Sequence, residues 1–407
     1  MSVSEVSSFR HQPLDLHHRQ IRLLRYRETS ASLDLNFTIS HHDLNDCLQY
    51  WALSYTWGEE IPLHAISIND NRFLIRENLH SLLKAINAGA PSNHNEFQPR
   101  DMYFWVDQIC IDQSTTSERN HQVGMMQSIY KQAESTVIWL GSENHAVVAA
   151  IARDDTVSET AVNDLWRQPY WSRLWVVQEI MSSQCLLLLC GHESVSWAKF
   201  ADYHKERRLN DLIGAWYPHD HDTRRIEPDI WPLIREKEEF GTGYATLSYI
   251  IDTFGRLGCQ NTKDKIFGVL GLVEEHHRVP VNYGLCRRDL FFAVIDKILA
   301  DESHNSRHIL EDFAPRLMEL LLLDADPLTR KLWNATVPLR EQKSTAHQKS
   351  LLLQAKFRMF KASGKSSDTG LRTKLHQVEL EKSRLNDAII AVSKYPSNHM
   401  GDAASVN

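Results

Sequence analysis

The chain has little of what marks the more familiar chemistries. Its six cysteines, spread over 407 residues, lack close and regular spacing, so they define no disulfide framework. The pair Cys185-x4-Cys190 lies in an apolar run and reads as two buried thiols rather than half a metal site. No apolar run approaches the ~20 residues of a membrane-spanning helix. No N-terminal run resembles a secretory leader. The expectation is a cytoplasmic protein with no membrane span. A net charge of −7 makes no case for nucleic acid as a partner. The glycine-rich dinucleotide fingerprint, the nucleophile elbow and the zinc signatures are all missing, which argues against a dehydrogenase, a serine hydrolase or a metalloenzyme. No metal ligands are assigned.

What is present is enough apolar residue, 42% of the chain, for a large core. The length suggests two or three domains. The most informative stretch runs from Tyr103 to Gly141. Phe104, Trp105 and Val106 form a short β-favouring run, and Val137 to Leu140 form another. Between them Val123, Met126, Ile129, Tyr130 and Ala133 recur at helical spacing, with Ser117 and Glu118 as a cap and a dipole-favoured acid at the helix start. Strand, helix and strand of this length make a crossover unit, so the two strands should be parallel. Ligands of such sheets bind beyond the carboxyl ends of the strands. Asp107, Gln108, Asp112 and Gln113 fall there, either as ligand contacts or as loop-capping acids and amides.

Upstream, residues 1–15 read as a polar lead-in. Ile21 to Tyr26 and Leu33 to Ile39 read as strands added at the edge of the main sheet, and Tyr50 to Tyr55 as its first central strand. Ser54 could donate to a ligand or sit satisfied in the core. Trp57 is either a core lid or a stacking surface, and Gly58 permits a positive φ or a close backbone approach. Ala65 to Ile68 and Arg72 to Ile75 flank Asn69-Asp70-Asn71, a hairpin signal. Leu79, Leu82, Leu83 and Ile86 predict a helix, and Ala90 to Arg100 a polar loop. Downstream, helices are expected near 145–153 and 158–167. Pro169 should open a further helix in which Trp171, Trp175 and Gln178/Glu179 share one face. Cys185 to Cys190 reads as a buried parallel strand. His219-Asp220-His221-Asp222 reads as a solvated loop, because adjacent residues rarely converge on one ion. His308 to Leu323 should be helical. Ser363-Gly364-Lys365-Ser366 lacks the upstream glycine and strand of a phosphate loop. Leu371, Leu375, Val378, Leu385 and Ile389 follow a four-three spacing that suits a short coiled coil or a surface helix.

Several of these stretches resemble the signature blocks of the fungal heterokaryon incompatibility (HET) domain. Trp105, Val106, Asp107, Cys110, Ile111, Asp112 and Gln113 match its first run. Glu118-Arg119, then Gln122, Val123, Met126, Ile129 and Tyr130, then Trp139-Leu140-Gly141 continue it. Tyr50 to Gly58 and Arg173 to Glu179 are similar to two more blocks, and Lys263 to Leu272 with Val281-Asn282-Tyr283 to a fourth. The resemblance implies a lead-in over 1–15, the HET domain over 16–200, an associated helical extension over 201–303 and a helical, partly disordered region over 304–407.

HET domains have themselves been likened to TIR domains. The implied fold class is α/β: a TIR-like (flavodoxin-like), mainly parallel sheet with added N-terminal strands and a mostly helical C-terminal region. Some TIR domains cleave the nicotinamide–ribose bond of NAD with a glutamate in a W-x-x-x-E motif, and Trp175 to Glu179 has that form. By this resemblance Glu179 is the catalytic candidate. Ser54, Trp57, Gly58, Asp107, Asp112, Arg119, Arg173 and Trp175 are candidates to hold the nucleotide, which would be a substrate rather than a resident cofactor. The aromatic faces would stack on its rings, and the guanidinium groups would pair with its diphosphate. The implied role is cell death after non-self recognition, through self-association or through another incompatibility-locus protein. The alternatives are a non-catalytic assembly module and an inactive copy.

Overall fold

The strands are β1 (Gln20–Tyr26), β2 (Asn36–Asp43), β3 (Tyr50–Ser54), β4 (Leu63–Ile68), β5 (Asn71–Arg76), β6 (Tyr103–Trp105), β7 (Ser135–Trp139), β8 (Leu186–Cys190) and β9 (Glu193–Ser196). In the computed structural model they form one nine-stranded sheet in the order β5-β4-β2-β1-β6-β3-β7-β8-β9. The structure describes residues 8–27, 35–46, 48–89, 102–214, 231–239, 246–362 and 369–393. The readings at 90–100, 219–222 and 363–366 lie outside those residues.

Four neighbours, β6, β3, β7 and β8, are parallel. Their order in space is second, first, third, fourth along the chain. Each passage between them runs through helices, as parallel pairing requires. The sheet as a whole is not mainly parallel, which corrects the expectation. The pairs β1–β2, β1–β6, β4–β5 and β8–β9 are antiparallel, as many as the parallel ones once β2–β4 is counted. Short connections account for two of them. Asn69 and Asp70, both at positive φ, are the two-residue loop of the β4–β5 hairpin, the pattern of a type I′ turn. Residues 191–192 turn β8 back into β9. Upstream of β1, Phe9 N–H donates to Arg72 O at 2.9 Å, and Leu14 is buried.

The helices follow the apolar spacing. α1 (Glu77–Asn87) buries Leu79, Leu82, Leu83 and Ile86. The short α2 (Asp107–Cys110) follows β6. α3 (Thr116–Gln132) buries Val123, Met126, Ile129 and Tyr130. Its N-cap is Thr115 rather than Ser117. Next come α4 (His145–Arg153) and α5 (Glu159–Trp166). All five residues of β8 are buried, each leucine contributing about 1.5–3 kcal/mol relative to exposure. Cys190 is buried, but Cys185, just before the strand, is exposed, so only one of that pair is a core thiol.

The single helix expected from Pro169 is two elements. Pro169–Ser172 is a 3-10 turn, and α6 (Trp175–Ser182) starts afresh. Arg173 between them is extended. The backbone here bridges to Gly258: Leu174 N–H donates to Gly258 O at 2.8 Å, and Gly258 N–H donates to Ser172 O at 2.6 Å. Those bonds cannot coexist with a continuous helix. Trp171 is therefore off the face of Trp175 and Glu179 and stacks on Phe200, with ring centroids 5.5 Å apart. Phe200 lies on α7 (Trp197–Gly214), which α8 (Trp231–Glu239) follows.

Beyond these, Arg287–Asp301 is a helix with an apolar face. Helices Pro327–Ala362 and Thr369–Ser393 pair as an antiparallel hairpin. Lys343 Nζ donates to Asn386 Oδ1 at 2.7 Å, Ser350 meets Glu379, and the Arg372 guanidinium lies 5.4 Å from the Phe357 ring centroid. The four-three spacing of Leu371 to Ile389 thus belongs to pairing within the chain. Arg340 holds the hairpin to the 287–301 helix through Asp296 at 2.8 Å.

Candidate active site

β3 and β6 end side by side, with Ala52 opposite Trp105. Ser54 is the last residue of β3, and Asp107 opens α2 one residue beyond the end of β6. Glu179 projects from α6 toward the same strand ends. In sheets of this kind that edge is where ligands enter.

The floor is buried and polar. Ser54 and Glu179 are only 1% and 3% exposed. Ser54 Oγ donates to Glu179 Oε2. With that proton committed, the Tyr170 hydroxyl donates to Ser54 Oγ at 2.6 Å. Burial pushes the Glu179 carboxyl up to about 7, against the lowering effects of Arg173 and of the Ser54 hydrogen bond. Burial also raises Tyr170 and Tyr55 well above the ordinary phenol range, so both remain protonated donors at neutral pH.

The rim is half-exposed. Asp107 Oδ2 accepts from Trp57 Nε1 at 2.7 Å. Burial raises the Asp107 carboxyl above the ordinary aspartate range, while Arg173, Trp57 and Tyr55 pull it down. Arg173 donates to the Tyr55 carbonyl, and its guanidinium acts on both Asp107 and Glu179. A fixed cation between two carboxylates favours their ionised forms where desolvation disfavours them.

The loop after β3 is pinned from the junction of β5 and α1. Gly58 turns it at φ +72°, a conformation strained for a residue with a Cβ. Arg76 Nη1 donates to Gly58 O at 2.8 Å, and Asn78 Nδ2 donates to Thr56 O at 2.5 Å. Asn78 is itself fixed by Trp139 Nε1 at 2.9 Å. The Arg76 guanidinium lies 5.3 Å from the Trp57 ring centroid.

Six of the nine residues singled out from sequence therefore share one neighbourhood: Ser54, Trp57, Gly58, Asp107, Arg173 and Glu179. Three do not. Asp112 lies in the turn before α3, where it accepts from Ser114 N–H at 3.0 Å and from Thr115 Oγ1 at 2.7 Å. Trp175 and Arg119 belong to a second polar cluster. There Trp175 Nε1 donates to Asp264 Oδ2 at 3.2 Å, the Tyr283 hydroxyl donates to Asp264 Oδ1 at 2.6 Å, and Arg119 lies 4.5 Å from the Tyr283 ring centroid. That cluster fastens the 263–283 segment to α3 and α6. Gly271 N–H also donates to Gln178 Oε1 at 3.2 Å.

Tyr55 and Tyr170 belong to the first neighbourhood and are not among the sequence candidates, whereas Gln108, expected at the strand end, accepts from the Tyr55 hydroxyl at 3.4 Å. Tyr55 and Tyr170 carry only generic aromatic signals in sequence. Glu118 is not the exposed helix-start acid its position suggested. It is buried and takes a two-pronged ion pair from Arg22 on β1, at 2.6 and 2.9 Å, and accepts from Asp112 N–H at 2.6 Å. Nothing local in sequence marks a partner 96 residues away.

An α/β domain with a buried serine–glutamate contact at the ends of its parallel strands is the class these features define. Residues 50–179 match the sequence model of the family described as heterokaryon incompatibility protein (HET). The Neurospora crassa protein named heterokaryon incompatibility protein 6, OR allele, is 31% identical over 159 residues. That match covers 37% of this chain and 23% of the Neurospora protein, so the chain spans less than a quarter of its relative's length. No solved structure matches. Over residues 50–179 the chain is thus similar to the HET family. Among the described residues no helix is long and apolar enough to cross a membrane.

Proposed function

We propose that this chain is an effector of heterokaryon incompatibility and that its HET domain kills by hydrolysing the N-glycosidic bond of NAD or a related nucleotide. The observation that carries the reading is the convergence of Ser54, Asp107 and Glu179, from three separate elements, at the carboxyl ends of β3 and β6. The second-first-third-fourth order of the parallel strands supports the TIR-like part, since flavodoxin-like sheets share it.

In the proposed reaction the bond from ribose C1′ to the nicotinamide nitrogen breaks, and its electron pair leaves with neutral nicotinamide. Water adds its oxygen to C1′, and one proton is released. The transition state is oxocarbenium-like, so an ionised Glu179 beside the ribose stabilises the developing charge. Ser54 and Tyr170 orient that carboxylate. Arg173 favours its ionised form and would pair with a phosphate oxygen. Trp57 offers a ring face at the rim.

The test is toxicity on expression in a fungal host. Parent protein should kill and lower cellular NAD, and Glu179→Gln should do neither while self-associating as the parent does. Killing by Glu179→Gln with NAD unchanged would instead favour the non-catalytic assembly module.

A further inference from the structure

Away from the Glu179 neighbourhood, three potential metal ligands meet where β4 packs on α1. His64 lies on β4, and Glu77 and His80 lie in the first turn of α1, three residues apart and so on one face. Their ligand atoms all fall within 4.8 Å of one another. The His64 and His80 rings are stacked, with centroids 4.3 Å apart and planes 10° from parallel. His64 Nε2 faces the Glu77 carboxylate. That nitrogen is buried and lacks a hydrogen bond of proper geometry, although a buried ring nitrogen normally has one. The carboxylate is oriented from behind, because Ser81 Oγ donates to Glu77 Oε1 at 3.0 Å and leaves Oε2 turned to His64.

We propose that His64, Glu77 and His80 bind a zinc ion. Two imidazoles and one carboxylate are a donor set that suits Zn2+, with a water as the fourth ligand. The Ser81 hydroxyl acts on the carboxylate ligand from outside the site, as such groups do in metal centres. The ion ties the N-terminus of α1 to β4. Arg76 and Asn78, on either side of Glu77, are the residues that pin the 56–58 loop, so the metal also stiffens the support of Trp57. The site itself does not depend on the NAD reading.

A second cluster, Glu274, His276 and His277, also has donors within range, but two of its three residues are exposed, against Glu77 alone in the first, and His277 faces Asp301 at 2.9 Å. It serves as the internal control. The experiment is titration of the purified full chain with Co2+, followed by visible absorption and by displacement with Zn2+. One equivalent should give the intense bands of a tetrahedral Co2+ centre. Both His64→Ala and His80→Gln should lose that equivalent, and the double variant His276→Ala/His277→Ala should keep it. Ser81→Ala should weaken it about 10- to 100-fold. Circular dichroism of each variant checks folding, and Zn2+ should raise the melting temperature of the parent but not of His80→Gln. Absence of a tetrahedral spectrum from folded parent, or its persistence in folded His80→Gln, overturns the proposal. So does its loss in the control variant alone.

Discussion

Ser54 and Glu179 are 125 residues apart in sequence and joined by a hydrogen bond in the core. One ends the central strand β3, and the other sits in α6, so the contact locks the helix over the strand end. It also keeps an acid whose ionisation is finely balanced. Burial pushes Glu179 up to about 7, where Arg173 and Ser54 stop it rising further.

That balance links stability to pH. The ordinary glutamate value is near 4.5. Below it the carboxyl is protonated in the folded and unfolded chain alike. Between 4.5 and about 7 the unfolded chain ionises and the folded one does not, so stability falls as pH rises. Above that range the loss is complete. Relative to Glu179→Gln, the parent should lose on the order of 3 kcal/mol between pH 4 and pH 8. Urea unfolding of both proteins at several pH values measures it. A constant difference across the range would contradict the burial argument.

Arg173 is the counter-charge for Asp107 and Glu179 together. Arg173→Met should raise both carboxyl groups further, seen as an upward move of their titrations in carbon-13 NMR of labelled protein. Arg173→Lys should move them less, because the charge stays and the planar fork is lost. If Glu179 hydrolyses NAD as an ionised group, the rate of the parent should climb through pH 7 and that of Arg173→Met should climb at higher pH.

Arg22 and Glu118 form the second buried charge relationship, at 1% and 5% side-chain exposure. Arg22→Met leaves Glu118 buried and unpaired and should cost about 3–5 kcal/mol. Pairing it with Glu118→Leu should recover much of that loss, because two apolar groups need no counter-charge. Denaturant unfolding of the single and double variants reads the coupling directly.

Gly271 is tested by its size. A Cβ there would lie 2.8 Å from Gln127 Cβ and 2.8 Å from Gln178 Cδ, so the 270–272 turn could not remain seated between α3 and α6. Gly271→Ala should destabilise by about 1–3 kcal/mol through overpacking. Gly124→Ala, with nothing within 4 Å of the added atom, should not destabilise and is the matched control.

Much of the parallel core was legible because its signals are local. Tyr50 to Tyr55, Phe104 to Val106 and Cys185 to Cys190 are apolar runs of strand length, and α3 shows its buried stripe at three- and four-residue steps. The Asn69-Asp70-Asn71 stretch signals the hairpin locally, although Asn71 already belongs to β5. What escaped depends on partners far along the chain. Arg173 reads as helical until Gly258 supplies the bridge that straightens it. Glu118 reads as a dipole-favoured acid at the helix start until Arg22 arrives from β1. Tyr170 gives no sign in sequence that it will reach Ser54, 116 residues upstream. The antiparallel additions β1 and β9 were also illegible as such, since pairing direction follows from connection and register rather than from composition.

The central claim is that Glu179 and its neighbours hydrolyse a nicotinamide nucleotide. Its most direct test is nicotinamide release from NAD by the purified full chain, at high protein concentration with a crowding agent, beside Glu179→Gln. The account predicts release by the parent and none by the variant, both folded by circular dichroism. Equal release from both, or none from the folded parent, would contradict it.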